Sequence, residues 1–285
     1  NKRDNTMITT WTNKHILITG AGSGIGQALA KLFASKGAKL ILTDIDEAGL
    51  NTTCQAAGSA VLIAQKADAS CKADWQKLAK DIEKKSGYLD VLINNAGMTS
   101  FGYFDETSEE LFNKVMDVNL NGVVIGCREM LPLLEKASQQ AQSSRALIVN
   151  VASIFGLITM PMVTPYHASK FAVRGFTEAL KQDMIYSKKR IDVICVMPGG
   201  IRTNIANSAE MEINATGDFA KHFASFARTS PEKAAMVIEK GMRKNTFRVL
   251  IGADAKFVDL LYKVLPTNYY KVSNRLLGVK QFLGR

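Results

Sequence analysis

A phenol, an ammonium, a hydroxyl and an amide recur along this chain as an acid–base set: Tyr166 and Lys170, with Ser153 upstream and Asn119 before that. Tyr166 and Lys170 stand at i and i+4, so on a helix they project from one face a turn apart. An ammonium beside a phenol favours the phenolate and lowers a pKa that is otherwise about 10. Such a tyrosine can move protons near neutral pH. The same spacing also occurs on solvated helix faces, so its weight comes from the elements around it. His167 points off the Tyr166 face and reads as structural or surface.

Those elements alternate strand and helix. Lys14–Thr19 is a short apolar run that enters Gly20-Ala21-Gly22-Ser23-Gly24-Ile25-Gly26, and Ile25, Leu29, Leu32 and Phe33 then recur at helical spacing up to Gly37. Strand, glycine turn and helix in that order let a backbone approach a pyrophosphate, with unpaired N–H groups at the helix start. The spacing is G-x-x-x-G-x-G. A second strand, Lys39–Thr43, ends at Asp44, where a carboxylate accepts from adenosine ribose hydroxyls and repels a 2′-phosphate. Neither Ser23 nor Ile45 supplies a cation for that phosphate, so NAD is preferred over NADP.

Further strands are expected at Ala60–Ala64, leading to Asp68, and at Leu89–Ile93, leading to Asn94-Asn95-Ala96-Gly97. Small and amide residues there suit a crevice where a flat ring lies on the backbone. A helix capped by Ser108 runs toward Pro132 with Asn119 in its middle, where an Asn needs either solvent or a buried polar task. Ala146–Val151 is apolar on both parities, as in a strand covered on both faces. Ser153 follows it, and a helix from about Pro165 carries Tyr166 and Lys170. Arg190–Val196 leads to Pro198-Gly199-Gly200 and Thr203, and Arg248–Ile251 is the last strand. The expected fold is α/β: a single-domain, Rossmann-type, doubly wound parallel sheet of about seven strands with helices on both faces. Residues 1–13 read as a flexible leader, 14–252 as the domain and 253–285 as a basic amphipathic tail.

The chain has 285 residues and a formal net charge of +10. Basic residues are spread along it without an arginine-rich run interleaved with aromatics, which argues against nucleic acid as a partner. No apolar run reaches the roughly 20 residues that span a bilayer. Cys54, Cys71, Cys127 and Cys195 show no C-x-x-C and no nearby His pairing, so neither a metal site nor a disulfide framework is expected. A soluble cytoplasmic protein is the default.

With these residues in place, the chain resembles the classical short-chain dehydrogenase/reductases over about residues 14–252. Thr19-Gly20-x-x-x-Gly24-x-Gly26 is similar to their cofactor turn, Asn94-Asn95-Ala96-Gly97 to their strand-four motif and Pro198-Gly199-x-x-x-Thr203 to their nicotinamide-side motif. Asn119, Ser153, Tyr166 and Lys170 match the catalytic tetrad in order and spacing. The resemblance implies a pyrophosphate on Gly20, Ser23, Gly24, Ile25 and Gly26, and a ribose on Asp44. It places Asp68 at the adenine, and Asn95, Ala96 and Gly97 along the adenosine side. Lys170 would hold the nicotinamide ribose, and the Ile201 backbone with Thr203 the carboxamide. Tyr166 would be the acid–base of hydride transfer between a secondary alcohol and a ketone, Ser153 the partner of the substrate oxygen, and Asn119 the holder of a water linking Lys170 to solvent. Homodimers or homotetramers are expected with it.

In such proteins the substrate meets residues after the motifs, here Met98, Phe101, Ile154, Phe155, Met160, Met162 and Ile205. Their apolar, adaptable character suggests a lipophilic alcohol or ketone. Phe219, Phe223 and Phe226 within residues 206–228 suggest a mobile lid. In the tail, Phe257, Leu260, Leu261, Val264 and Leu265 form an amphipathic helix stopped by Pro266. It reads as an interfacial membrane contact or as a surface packed on the lid or a neighbouring subunit. Two other functions stay open: a 3-oxoacyl-thioester reductase, against which Asp44 counts because that class favours NADP, and a non-catalytic dinucleotide sensor, which would be expected to lack Tyr166 or Lys170.

Overall fold

The structure, a computed structural model, describes residues 9–140, 145–203 and 227–276, the side chains only up to 272. Seven parallel strands lie in the order β3-β2-β1-β4-β5-β6-β7. They are β1 (His15–Thr19), β2 (Lys39–Asp44), β3 (Val61–Lys66), β4 (Val91–Asn94), β5 (Ala146–Val151), β6 (Ile191–Pro198) and β7 (Arg248–Ile251). The doubly wound parallel sheet expected from the strand–helix alternation is the one observed. The order reverses between β1 and β4, which pair directly from Ile16 with Val91 to Ile18 with Ile93. Such a reversal opens a crevice at the carboxyl ends of the strands.

Strand periodicity divides the core. Ile16 and Ile18 join Leu29, Phe33, Ile238 and Met242 on one face. Leu17 joins Trp75, Ile82, Met130, Leu134 and Val173 on the other. Helices α1 (Gly24–Ser35), α2 (Glu47–Ala57) and α7 (Pro231–Arg243) thus cover one side, and α3 (Lys72–Lys85), α5 (Gly122–Ser138) and α6 (Thr164–Tyr186) the other. Each inner strand buries both faces, which is why β4 and β5 are apolar without alternation.

Several strand ends shift by one or two residues from expectation, and two boundaries have a clear physical reason. β3 runs on to Lys66 because Gln65 and Lys66 pair with Thr43 and Asp44 at the sheet edge, where polar side chains reach water. The helix beyond Ser108 does not stop at Pro132. Ser108 caps α4 (Glu109–Met116), accepting from Leu111 N at 3.1 Å. A π-helical turn over Asp117–Asn121 follows, and α5 carries Pro132 in its interior. Met130, Leu133, Leu134 and Ala137 are buried around that proline. Their burial outweighs the roughly 3 kcal/mol a proline costs inside a helix.

Within the described part of the expected leader, whose other residues are exposed, Trp11 is packed into the core. Trp11 is 3% exposed, meets Phe33 edge-on with ring centroids 4.9 Å apart and donates its Nε1–H to Glu239 Oε1 at 2.7 Å. Lys36 Nζ lies 3.2 Å from the same carboxylate. A flexible reading therefore does not hold for Trp11. At the other end, α8 (Ala253–Val264) follows β7 directly and buries Ala255, Val258 and Asp259, so it is built into the domain, and α9 (Tyr269–Leu276) comes after it. Among the described residues no helix is long and apolar enough to cross a membrane. Removing the Trp11 side chain leaves a cavity against Phe33 and a carboxylate with one partner fewer, so Trp11→Ala is expected to cost roughly 3–5 kcal/mol in urea denaturation. A cost below about 0.5 kcal/mol, typical of surface changes, would show residues 9–13 to be dispensable.

Candidate active site

The crevice at the strand ends is one continuous cleft of about 2030 Å³, reaching from Asp44 and Asp68 past Gly20 and Asn95 to Ser153, Tyr166 and Lys170. That is ample for a dinucleotide with a second small molecule, against roughly 300–1,000 Å³ for a typical ligand pocket.

At one end the turn after β1 is clamped to the turn after β4. Thr19 Oγ1 accepts from the backbone N–H of Asn95 and of Ala96, both at 3.0 Å. Asn95 Nδ2 donates back to Thr19 O at 2.9 Å and Gly20 O at 3.1 Å. The Asn95 amide thus serves the turn itself, beyond its expected place along the cleft. A Cβ on Gly26 would stand 2.0 Å from Gly20 O, so only glycine closes this turn. Gly24 has φ 51°, and α1 starts there with no side-chain cap from Ser23 and no acid in its first turn. Its first N–H groups and positive dipole end are left for an anion. Asp44 accepts from Gly22 N at 2.7 Å and Asp46 N at 2.8 Å, one bond on each oxygen, which leaves acceptor capacity on both. Asp68 bends back on Ser70, accepting from its N–H at 2.8 Å and its hydroxyl at 2.7 Å, and lines the cleft wall.

At the other end the structure brings the four candidate catalytic residues together. Ser153 follows β5 and leads a single 3₁₀ turn, where its Oγ accepts from Phe155 N at 3.1 Å and its hydroxyl lies near enough to the Tyr166 phenol to act on its pKa. Lys170 donates to Val151 O at 3.1 Å, with Nζ 5.5 Å from the centre of the Tyr166 ring. Asn119 lies in the π-helical turn, fully buried. It accepts from Met98 N at 2.8 Å and donates to Met98 O and Ser169 Oγ, each at 2.9 Å. Ser169 in turn donates to Tyr166 O at 2.8 Å. This is the buried polar task that the sequence required of a mid-helix Asn. Both amide hydrogens are engaged, however, so the side chain has no donor left for the expected water. Gly97 fits beneath: a Cβ there would lie 3.0 Å from Asn119 Oδ1 and 3.4 Å from Lys170 Nζ.

The electrostatics correct one expectation. Burial pushes the Tyr166 phenol up to about 12, and the Ser153 hydroxyl offsets only part of that. Burial also pulls Lys170 down to about 8. In the protein by itself desolvation outweighs the help of a neighbouring cation, and the phenol keeps its proton. His167 is buried between Phe155 O at Nδ1 (3.1 Å) and Met160 N at Nε2 (3.0 Å). A donating Nδ1 and an accepting Nε2 make it a neutral strut that fixes the loop before α6. Desolvation lowers its pKa, in keeping with that form.

Of the candidate substrate residues, Met98, Ile154, Phe155 and Met160 line the cleft, Phe155 edge-on to Tyr166 at 6.3 Å. Phe101 is buried core at 2% exposure and Met162 sits in a turn at φ 67°, and neither borders the cleft. Ile205 and residues 206–226 of the segment expected to form a lid lie outside the described residues. Pro198, Gly199, Ile201 and Thr203 line the wall beside Lys170. The contribution of α8 was not expected from the sequence: Asp254 Oδ2 accepts from Gly200 N at 2.6 Å, and Phe257, Val258 and Leu261 add to the cleft wall. The apolar spacing of α8 was legible. Its place required knowing that β7 lies beside β6.

The family model for short chain dehydrogenase matches residues 14–214. A Mycobacterium tuberculosis relative, named as an oxidoreductase (SadH), is 37% identical over 279 residues, covering 93% of this chain and 95% of its own. A Burkholderia phymatum short chain dehydrogenase/reductase solved in complex with NAD is 29% identical, with a TM-score of 0.81 over 91% of this chain and 96% of its own. A 3-ketoacyl-(acyl-carrier-protein) reductase from Brucella melitensis, solved with NADH, is 27% identical, with a TM-score of 0.74 over 86% and 98%. An oxidoreductase fold, a dinucleotide crevice and these likenesses coincide in one conclusion: the chain belongs to the short-chain dehydrogenase family.

Proposed function

We propose that this protein interconverts a lipophilic secondary alcohol and its ketone, with NAD preferred over NADP and Tyr166 as the acid–base. The observation that carries the reading is that Ser153, the Tyr166 phenol and the Lys170 ammonium, 5.5 Å from the centre of that ring, border one cleft that Asp44 also lines. When bound, the nicotinamide supplies hydride transfer, and its oxidised form brings a positive charge to the site. The side chains do the rest. Ser153 donates to the substrate oxygen, and Tyr166 takes the carbinol proton in oxidation or returns it in reduction. A second positive charge near the phenol is what its raised pKa requires before it can act as a base at neutral pH. Lys170 holds the nicotinamide ribose, and Pro198, Gly199, Ile201 and Thr203 orient the carboxamide. Asp44 takes the adenosine ribose, with Ile25, Asp68, Asn95, Ala96 and Gly97 along the adenosine side. Asn119 fixes the distance between the loop after β4 and α6.

The NAD and NADH held by the two structural relatives support the cofactor class, and Asp44 supports the choice within it. Met98, Ile154, Phe155 and Met160 support an apolar substrate. A cytoplasmic homo-oligomer is the working assembly. One observation favours a second reading, 3-oxoacyl-thioester reduction: Arg202, Arg228, Lys233 and Lys256 all border the cleft and suit an anionic carrier.

Tyr166→Phe is expected to lower alcohol-dependent NADH formation at least about a hundredfold, within the 10²–10⁴ of a positioned acid–base group. Near wild-type turnover would sink the mechanism. Asp44→Ala should shift the ratio of kcat/KM for NAD over NADP downward by roughly tenfold or more, and an unmoved ratio would remove Asp44 from the ribose site. Lys170 binds fewer protons folded than unfolded between about pH 8 and its unfolded value of about 10.4, so this group makes stability rise with pH through that window. Lys170→Met should therefore be more stable than the wild type at pH 7, by roughly 1–3 kcal/mol, with the gap closing toward pH 10. Urea denaturation at the two pH values checks the sign.

A further inference from the structure

We propose that the outward face of α8 seats this protein on an anionic lipid bilayer, with the substrate end of the cleft opening at that face. The inference rests on the lipophilic-substrate reading and adds where such a substrate comes from.

α8 has two apolar sides. Ala255 and Val258 turn inward, at 0% and 9% exposure. Phe257, Leu260, Leu261 and Val264, at i, i+3, i+4 and i+7, form a second stripe, and Phe257, Leu260 and Val264 are 50%, 60% and 66% exposed. A surface helix ordinarily carries one such stripe, toward the core. Here the stripe with the regular spacing is the one turned out. Phe257 and Leu261 also line the cleft that contains Ser153 and Tyr166, whereas Leu260 and Val264 do not. Phe257 and Leu261 therefore belong both to the cleft wall and to the outward stripe.

Charge selects what covers it. Lys256 and Lys263, at i and i+7, follow one edge of the stripe, and Lys271 is exposed on α9. Of the acids of α8, Asp254 accepts from Gly200 N, while buried Asp259 pairs with Arg248 Nη1 at 3.3 Å and with Lys263 Nζ at 2.6 Å, so Lys263 is partly neutralised and Lys256 carries most of the positive charge along this edge. An apolar stripe bordered by cations on a helix lying flat on the surface is the chemistry that takes anionic headgroups at its edge and acyl chains at its centre. The helix is held firmly for this. Arg248 also pairs with Glu178 of α6 at 2.9 Å, and beyond Pro266 the Tyr269 hydroxyl lies 3.1 Å from Thr159 Oγ1. With α8 seated, a secondary alcohol on an acyl chain passes over Phe257 and Leu261 to Tyr166 without crossing water.

The test combines sedimentation with two assays on the full chain. Vesicles of phosphatidylcholine, alone or mixed with phosphatidylglycerol, serve as the surface; one alcohol is short and water-soluble, the other a long-chain secondary alcohol dissolved in the vesicles. Leu260→Ser/Val264→Ser is the informative variant because neither residue borders the cleft. Wild type is expected to sediment with the anionic vesicles and to be released by salt. The variant should partition at least about tenfold less, lose vesicle-dissolved turnover by a similar factor and keep turnover of the soluble alcohol. Equal sedimentation of the two proteins, no binding of wild type to anionic vesicles, or a variant that only converts a dimer to monomers would each overturn the proposal, the last by giving the stripe to a second copy. If wild type turns over neither alcohol, the reaction reading fails, and sedimentation still decides the docking face.

Discussion

An ammonium placed where water scarcely reaches it is the constraint around which this site is arranged. Lys170 is 4% exposed, donates to Val151 O and has its pKa drawn down to about 8 by burial. Keeping a cation there costs stability, and the neighbouring structure is shaped to hold it. Gly97 leaves room against Nζ, Asn119 fixes Met98 to Ser169, and Ser169 fixes the backbone of Tyr166. The phenol is buried beside the ammonium and sits near 12. Desolvation has therefore moved the two groups toward neutrality from opposite directions. A pair poised this way responds strongly to any further charge brought to it, because nearby water does little screening.

The switch between β1 and β4 supplies the place for that pair. Parallel pairing puts all seven strand ends at one edge of the molecule, and six of them deliver cleft residues: the glycine turn, Asp44, Asp68, Asn95 to Gly97, Ser153, and Pro198 to Thr203. The Thr19–Asn95 clamp spans the gap that the switch opens. It keeps the crevice from closing and from widening, so the glycine turn and Tyr166 face the same space.

Most of this was legible in the residues because each motif is short, local and tied to a strand end. The polar Asn119 in an apolar helix announced a buried task, and Asp44 could be placed by its distance from the glycine turn. What stayed hidden depended on contacts between distant segments. Trp11 has no periodic context and reads as leader until Phe33 and Glu239 are seen around it. Pro132 looks like a helix end unless the burial of Met130 and Leu134 is known. The direction of the Tyr166 pKa reversed because spacing shows that Lys170 is near Tyr166 but says nothing of how little water surrounds both. α8 was recognised as amphipathic, but its role beside the cleft follows from β7 lying next to β6, which no local pattern encodes.

Hydride transfer from a carbinol carbon is the central act proposed for this site. Its most direct measurement uses a secondary alcohol deuterated at that carbon, with NAD, followed by mass analysis of the reduced nicotinamide and the ketone. One deuterium per turnover in the reduced nicotinamide, and none lost to solvent, is the predicted result. Ketone formed with the deuterium released to water, or no reduction of NAD with any secondary alcohol in a graded series, would contradict it.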